Sequence, residues 1–286
     1  MHFVDHNCVT RIGGFFLLCG VLIAGSGGQT RAANCGATWR STYTKHFLIQ
    51  GAFDADELQD LAVRCEELLE ELRAKWFDDG APLQWHPRCH VVVHGTLASY
   101  LREVPGGERT LGSSWIQHQS GAIVTRRIDL RGDRADWFAG ALAHELIHVL
   151  LADHVGKHPP QRWAEEGLAI LADPSEKQLR HDADFRDAAA RGGHFRLAEM
   201  LAYHEYPDTT RITAFYGQSA SLVRYLTKFR TPADFAAFLK LAASKGYDAA
   251  LREHYEIDGV ADLERRWLAS LTEAAPNLAG EQLAGE

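Results

Sequence analysis

Two imidazoles and a carboxylate stand in an otherwise apolar stretch, "WFAGALAHELIHVLLA", Trp137 to Ala152. His144, Glu145 and His148 are its polar side chains. Read as a helix, the stretch turns about 100° per residue, so His148 lies about 40° round from His144 and both rings share one face. Glu145 stands beside them. Burying such a trio without partners costs several kcal/mol. A divalent cation held by both imidazoles removes most of that cost and gives the carboxylate a task. "HELIH" has the H-E-x-x-H form, with His144 and His148 as zinc ligands and Glu145 as general base. The blander reading, two core histidines bonded to backbone carbonyls, leaves Glu145 without a role.

Zinc in a catalytic site takes a third protein ligand and keeps a fourth position open. The sequence offers two candidates. In "RWAEEGLAILAD", Trp163, Glu166, Gly167 and Ile170 share a helix face, so Glu166 sits on the apolar side. Glu165 falls nearer Arg162 and Ala169 and is expected to face solvent. Gly167 gives that helix room to approach another backbone. The other candidate, His154, follows His148 by six residues. Leu151 stands where a metzincin carries the Gly that lets the chain leave the helix. With the helix continuing, His154 lies about 120° away from His148. Glu166 is the favoured ligand.

"HELIH" followed by "WAEEGLA" resembles the gluzincins, in particular the peptidase MA-like families. "FYGQSASLVRYL" is similar to the Tyr-bearing helix of those families, and "GYDAALREHYEIDGVADLERRWLASL" to the C-terminal helices of small secreted bacterial members. The likeness covers roughly residues 129–271. It implies zinc held by His144, His148 and Glu166, Glu145 acting on water, and Tyr216 hydrogen-bonding the developing oxyanion. Tyr203, His204 and Tyr206 are rivals to Tyr216. Many gluzincins place an acid four residues after the ligand Glu to orient a metal His; here that position is Ile170. Asp173, Asp129 and Asp136 are the substitutes the sequence offers.

The elements that must position these residues fall into two sets. Tyr43–Gly51 reads as a strand. Asp54–Trp76 reads as a long amphipathic helix, with Asp54 and Glu57 in capping-box spacing. Arg88–Gly95 is a Val-rich strand, and "TLASYLREV" a short helix stopped by Pro105. "SSWIQHQ" and "GAIVTRRIDLRG" read as a hairpin turning at Ser120-Gly121. In zincins an edge strand before the metal helix pairs with substrate backbone, a role that falls here on Ile123–Thr125. Helices follow over 135–154, 161–172, a looser 185–203, 215–229, 232–244, 247–254 and 260–271. The fold class is therefore α+β and zincin-like: an N-terminal mixed sheet with a long helix, then a mainly helical half. The expected organisation is a signal peptide over 1–33, an α/β lobe over 34–132 and a helical zinc-binding lobe over 133–286.

Composition sets the outer bounds. Of 286 residues, 46% are hydrophobic and 24% charged, the formal charge is -8, and the basic residues are scattered, which argues against a nucleic-acid partner. "RIGGFFLLCGVLIAG", Arg11–Gly25, followed by small polar residues, reads as an export signal. It is short for a spanning helix, so no stable membrane insertion is expected once it is removed. Export to the medium, periplasm or envelope permits disulfides, and Cys65 with Cys89 is one pairing; two buried thiols is the other reading, and Cys35 has no partner in either. His86, His90, His94, His118, His181 and His194 have no partner at ligand spacing. These features point to a secreted zinc hydrolase, with a peptide or protein substrate. A non-catalytic zincin-fold binding module and a zinc amidase acting on a cell-wall link are the alternatives. Nothing in the sequence fixes an oligomeric state.

Overall fold

The computed structural model describes residues 38–77, 82–156 and 161–281, with side chains through 271. The expected export signal and Cys35 lie outside the described residues. Five strands form one mixed sheet: β1 (Arg40–Tyr43), β2 (Phe47–Gly51), β3 (Cys89–His94), β4 (Gly112–Gln119) and β5 (Ala122–Arg131), in the order β1-β2-β3-β5-β4. The inner pairs β2/β3 and β3/β5 are parallel, and the outer pairs β1/β2 and β5/β4 antiparallel. The single strand expected over 43–51 is two strands. Thr44 turns the chain between them, its hydroxyl accepting from Phe47 N at 2.9 Å.

Parallel β2 and β3 need a crossover, and the helix expected there supplies it. In α1 (Ala55–Trp76), Asp54 accepts from Glu57 N at 2.8 Å and Glu57 returns the bond at 3.2 Å, the capping box in full. Leu58, Leu61, Ala62, Cys65, Leu69, Leu72 and Trp76 are its buried stripe, at helical spacing. The β4–β5 hairpin turns where expected. Ser120 and Gly121 have φ of 52° and 81°, the two positive values that a tight right-twisting hairpin demands. The short helix α2 (Leu97–Glu103) is capped by Thr96.

Residues in register across the strands share a face. Phe47, Cys89 and Arg126 form one row and Ile49, Val91 and Ile128 the next, all buried. This core face receives α1 and the helix α3 (Ala143–Val155). Cys65 and Cys89 lie in this core as free, buried thiols, so the disulfide reading gives way to the other one.

The helical part comprises α4 (Arg162–Ala172), α5 (Ser175–Ala190), α6 (Leu197–Met200), α7 (Ile212–Phe229), α8 (Pro232–Lys245), α9 (Tyr247–Tyr255) and α10 (Val260–Glu281). The loose segment expected over 185–203 starts earlier, as α5. That helix has a polar composition with Phe185 and Ala188 as its buried residues, so no apolar stripe announces it. The chain ordering is α+β, as its residue patterns predict. Two compact units are distinguished, 38–156 with 168–180 and 161–167 with 181–281. The division runs through α4 and α5, and α3 counts with the sheet rather than parting from it at 132/133. Among the described residues, no helix is long and apolar enough to cross a membrane.

Candidate metal centre

The helix that carries the motif is fixed to the sheet at its far end. Arg126, buried on the core face of β5, donates to Asp153 of α3 at 2.5 Å and to Pro87 O at 2.9 Å. At its near end the expected helical start over 135–142 is instead a π-helical turn, Phe138–Leu142, running into Ala143. Such turns re-aim the residues that follow them. His144, Glu145 and His148 are all buried. The two rings of His144 and His148 meet edge-to-face, with centroids 5.2 Å apart.

Of the three acids the sequence offered as partners for His144, Asp173 is the one in contact: its Oδ2 lies 3.2 Å from His144 Nδ1. Lys177 donates to the other oxygen at 2.9 Å, and Gln178 to the backbone carbonyl at 2.9 Å. Burial pushes the Asp173 carboxyl up, but His144 and Lys177 more than offset this and hold it below the ordinary aspartate value. Asp129 is committed elsewhere, to His94 at 2.8 Å and to Nε and Nη2 of Arg127. Asp136 is exposed and 4.0 Å from Arg134.

Glu166 precedes Asp173, the residue just past the end of α4, by seven residues, about two helical turns, which brings the two to the same side of the helix axis. His144, His148 and Glu166 each offer one ligand atom, and these atoms lie within 4.8 Å of one another. No protein-family model and no curated protein matches the chain.

Glu166 is held from behind. Tyr206, named from the sequence as a rival oxyanion donor, instead donates its hydroxyl to Glu166 Oε1 at 2.5 Å. Burial first, then the Glu166 charge, raise the Tyr206 pKa well above its ordinary value, so the phenol keeps its proton and remains the donor. Glu165 does not face solvent. It is 3% exposed and accepts from Arg162 at 2.9 Å. Burial pushes its carboxyl up to about 7, against the pull of Arg162 and with a further push from Glu166. The helix side that periodicity assigns to solvent is covered here, because Arg162 is itself buried, donating to His204 O at 3.3 Å and lying over the Tyr206 ring.

Gly167 does what its lack of a side chain implies: a Cβ there would stand 2.7 Å from Ser219 O of α7 and 2.5 Å from Val223. Tyr216, also on α7, is half-buried and packs edge-on against Tyr206 and His181, at 6.2 and 5.9 Å between centroids. His154 stays off the metal group. The helix runs through Leu151 to Val155, and the His154 ring packs on Phe77 instead.

Glu145 has a neighbour that sequence reasoning missed. A Cβ on Gly112, the first residue of β4, would lie 2.9 Å from Glu145 Cγ and 3.1 Å from its Oε1. The signal was present, since a Gly opening a strand often marks close approach by another group. The strand expected to offer its edge is also corrected. Ile123–Thr125 lie in β5, paired to β4 with a register shift after Gln117, and the outermost strand beside α3 is β4. A hairpin has two strands, and its sequence does not say which lies outside.

Proposed function

We propose that the protein is a secreted zinc-dependent hydrolase of gluzincin type, most plainly a peptidase. The observation that carries the reading is the convergence of His144, His148 and Glu166 on a single point, with Asp173 behind one ligand and Tyr206 behind another. Two imidazoles and one carboxylate are the donor set of a catalytic zinc site. Outer partners that fix ring orientation and carboxylate position belong to such sites as much as the ligands do.

When bound, zinc supplies Lewis-acid polarisation of a carbonyl and makes water a nucleophile near neutral pH. The chain's own residues do the rest. Asp173 accepts from His144 Nδ1–H, which leaves Nε2 to ligate. Tyr206 holds Glu166 in one position. Glu145 takes the proton of the attacking water and delivers it to the departing amine nitrogen. Tyr216 is the assigned donor to the oxyanion, a bond worth roughly 2.7–4 kcal/mol at such sites. The outer side of β4 offers backbone groups to an extended peptide, by strand addition.

The deciding experiment is elemental analysis of purified protein alongside turnover of a quenched peptide library. The wild type carries one zinc per chain and cleaves. Glu166→Ala loses the metal. Glu145→Gln keeps it and loses activity by about 100-fold or more. Metal-free wild type, or full activity in Glu145→Gln, overturns the reading.

A further inference from the structure

The sheet has a second face, turned away from α1 and α3. One row on it crosses all five strands: Tyr43, Leu48, His90, Arg127 and Trp115. At the usual strand spacing it is about 19 Å long. Both ends are exposed aromatics, Tyr43 at 67% and Trp115 at 39%, and Trp39 just before β1 is a third at 51%. Between them, α2 and the strands enclose an open cavity of about 290 Å³, with Trp39, Gln50, His90, Ser99, Arg102 and Arg127 among its lining residues.

The polar groups of this cavity are held in place before any ligand arrives. His94, Asp129, Arg127 and Glu103 form a chain of bonds at 2.7–3.1 Å. His90 Nε2 is 2.7 Å from Gln50 Oε1. Burial and the Arg127 charge depress the His90 pKa, which favours the neutral ring. With Nε2–H donating to Gln50, His90 Nδ1 is an acceptor and the Gln50 amide hydrogens are donors. Ser99 Oγ lies 3.3 Å from His94 Nδ1, so Ser99, His94 and Asp129 stand in the order of a nucleophile relay. The Ser99 hydroxyl also donates to Thr96 O at 3.0 Å, and Asp129 also accepts two bonds from Arg127, so the three side chains are held as a fixed polar wall of the cavity.

Charge decides the ligand class. Arg102, Arg127 and Glu103 line the cavity, Glu103 accepts from Arg127, and Asp129 backs Arg127 from below, so two positive and two negative groups balance. An anion meets Glu103, and a cation meets two guanidiniums. A neutral polyhydroxylated ligand uses the donors and the acceptors alike. Exposed aromatic faces suit the C–H faces of pyranose rings, because the negative ring face attracts polarised C–H groups. The geometry points to a neutral glycan-binding site, with one sugar ring against Trp39 in the cavity and the chain lying along the row from Tyr43 to Trp115. Helix α3 packs on the opposite face of the sheet, so this site stands whether or not the metal reading does.

Calorimetric titration of the protein with cellotetraose, maltotetraose and chitotetraose, and with tetragalacturonate as the anionic counterpart, tests the assignment. At least one neutral tetrasaccharide binds saturably and more tightly than the anionic one. Trp39→Ala and Gln50→Ala each raise its Kd at least about tenfold, and EDTA leaves it unchanged. Both variants are checked for wild-type melting; Trp39 is half exposed and Gln50 lies on the outer face, so either one suffices if the other misfolds. No saturable binding of any neutral tetrasaccharide, preference for tetragalacturonate, a Kd indifferent to the substitutions, or binding abolished by EDTA overturns it.

Discussion

Asp173 Oδ2 sits 3.2 Å from His144 Nδ1, and the same carboxylate takes Lys177 Nζ at 2.9 Å on its other oxygen. Asp173 closes the helix whose middle carries Glu166, so one short element supplies a proposed ligand and the partner of another. The spacing of seven residues makes this work, because it returns to the same helix side after two turns.

Asp173→Asn therefore weakens metal binding without removing a ligand. The amide can still accept from Nδ1–H, but the negative charge that raises the basicity of Nε2 is gone. Competition against a fluorescent chelator should show zinc affinity down by about 10–100-fold. An unchanged affinity would mean that the Asp173–His144 bond serves packing alone.

Gly112→Ala separates positioning from binding. The new Cβ would lie 2.9 Å from Glu145 Cγ, a contact relieved when the Glu145 side chain moves. A displacement of about 1 Å at a reacting group costs on the order of 100-fold in rate. The expected outcome is kcat lowered on that scale, zinc content intact, and a melting temperature within a few degrees of wild type. Loss of zinc and of activity together would place Gly112 in the fold rather than beside the base.

Much of this was legible in the chain. Capping at Asp54, the turn at Ser120-Gly121 and the apolar stripe of α1 are local signals, and the structure reproduces them. The grouping of His144, His148 and Glu166 follows from two helix periodicities and the cost of burying charge. What was hidden depends on partners distant in sequence. The ion pair that buries Glu165 needs Arg162 to be covered as well, which no helical wheel reveals. That β4 rather than β5 lies outermost is a matter of sheet order. Nor could spacing choose Asp173 over Asp129, since the latter's engagement with His94 and Arg127 arises from strand register.

Cys65 and Cys89 should be silent thiols. Burial pushes the Cys65 thiol up to about 12 and raises Cys89 as well. At pH 8 almost no thiolate is present at either, and neither is accessible. Iodoacetamide followed by peptide mapping should leave both unmodified in native protein and modify both after denaturation. Native labelling of either would show that the core between α1 and β3 opens on the labelling timescale.

Asp129 gives the clearest pH signature. Burial raises its carboxyl, but the hydrogen bonds and charges of His94 and Arg127 outweigh this and hold it below its ordinary value of 3.8. A carboxylate depressed in the folded state contributes stability that is complete above its unfolded value and is lost as pH falls through the folded one. Asp129→Asn should accordingly be less stable than wild type at pH 7, by about 1.5–3 kcal/mol for bonds to a charged group. The difference should shrink as pH drops below about 4, because the wild-type carboxyl then takes up the proton that the amide never needed. Urea unfolding of both proteins from neutral to strongly acidic pH measures the gap directly. Other acids, Glu66 and Asp133 among them, are also depressed and tilt both curves equally, so subtraction isolates Asp129. A gap that holds constant down to pH 2.5 would mean that neutral packing, not the charge, holds His94 and Arg127 against Asp129.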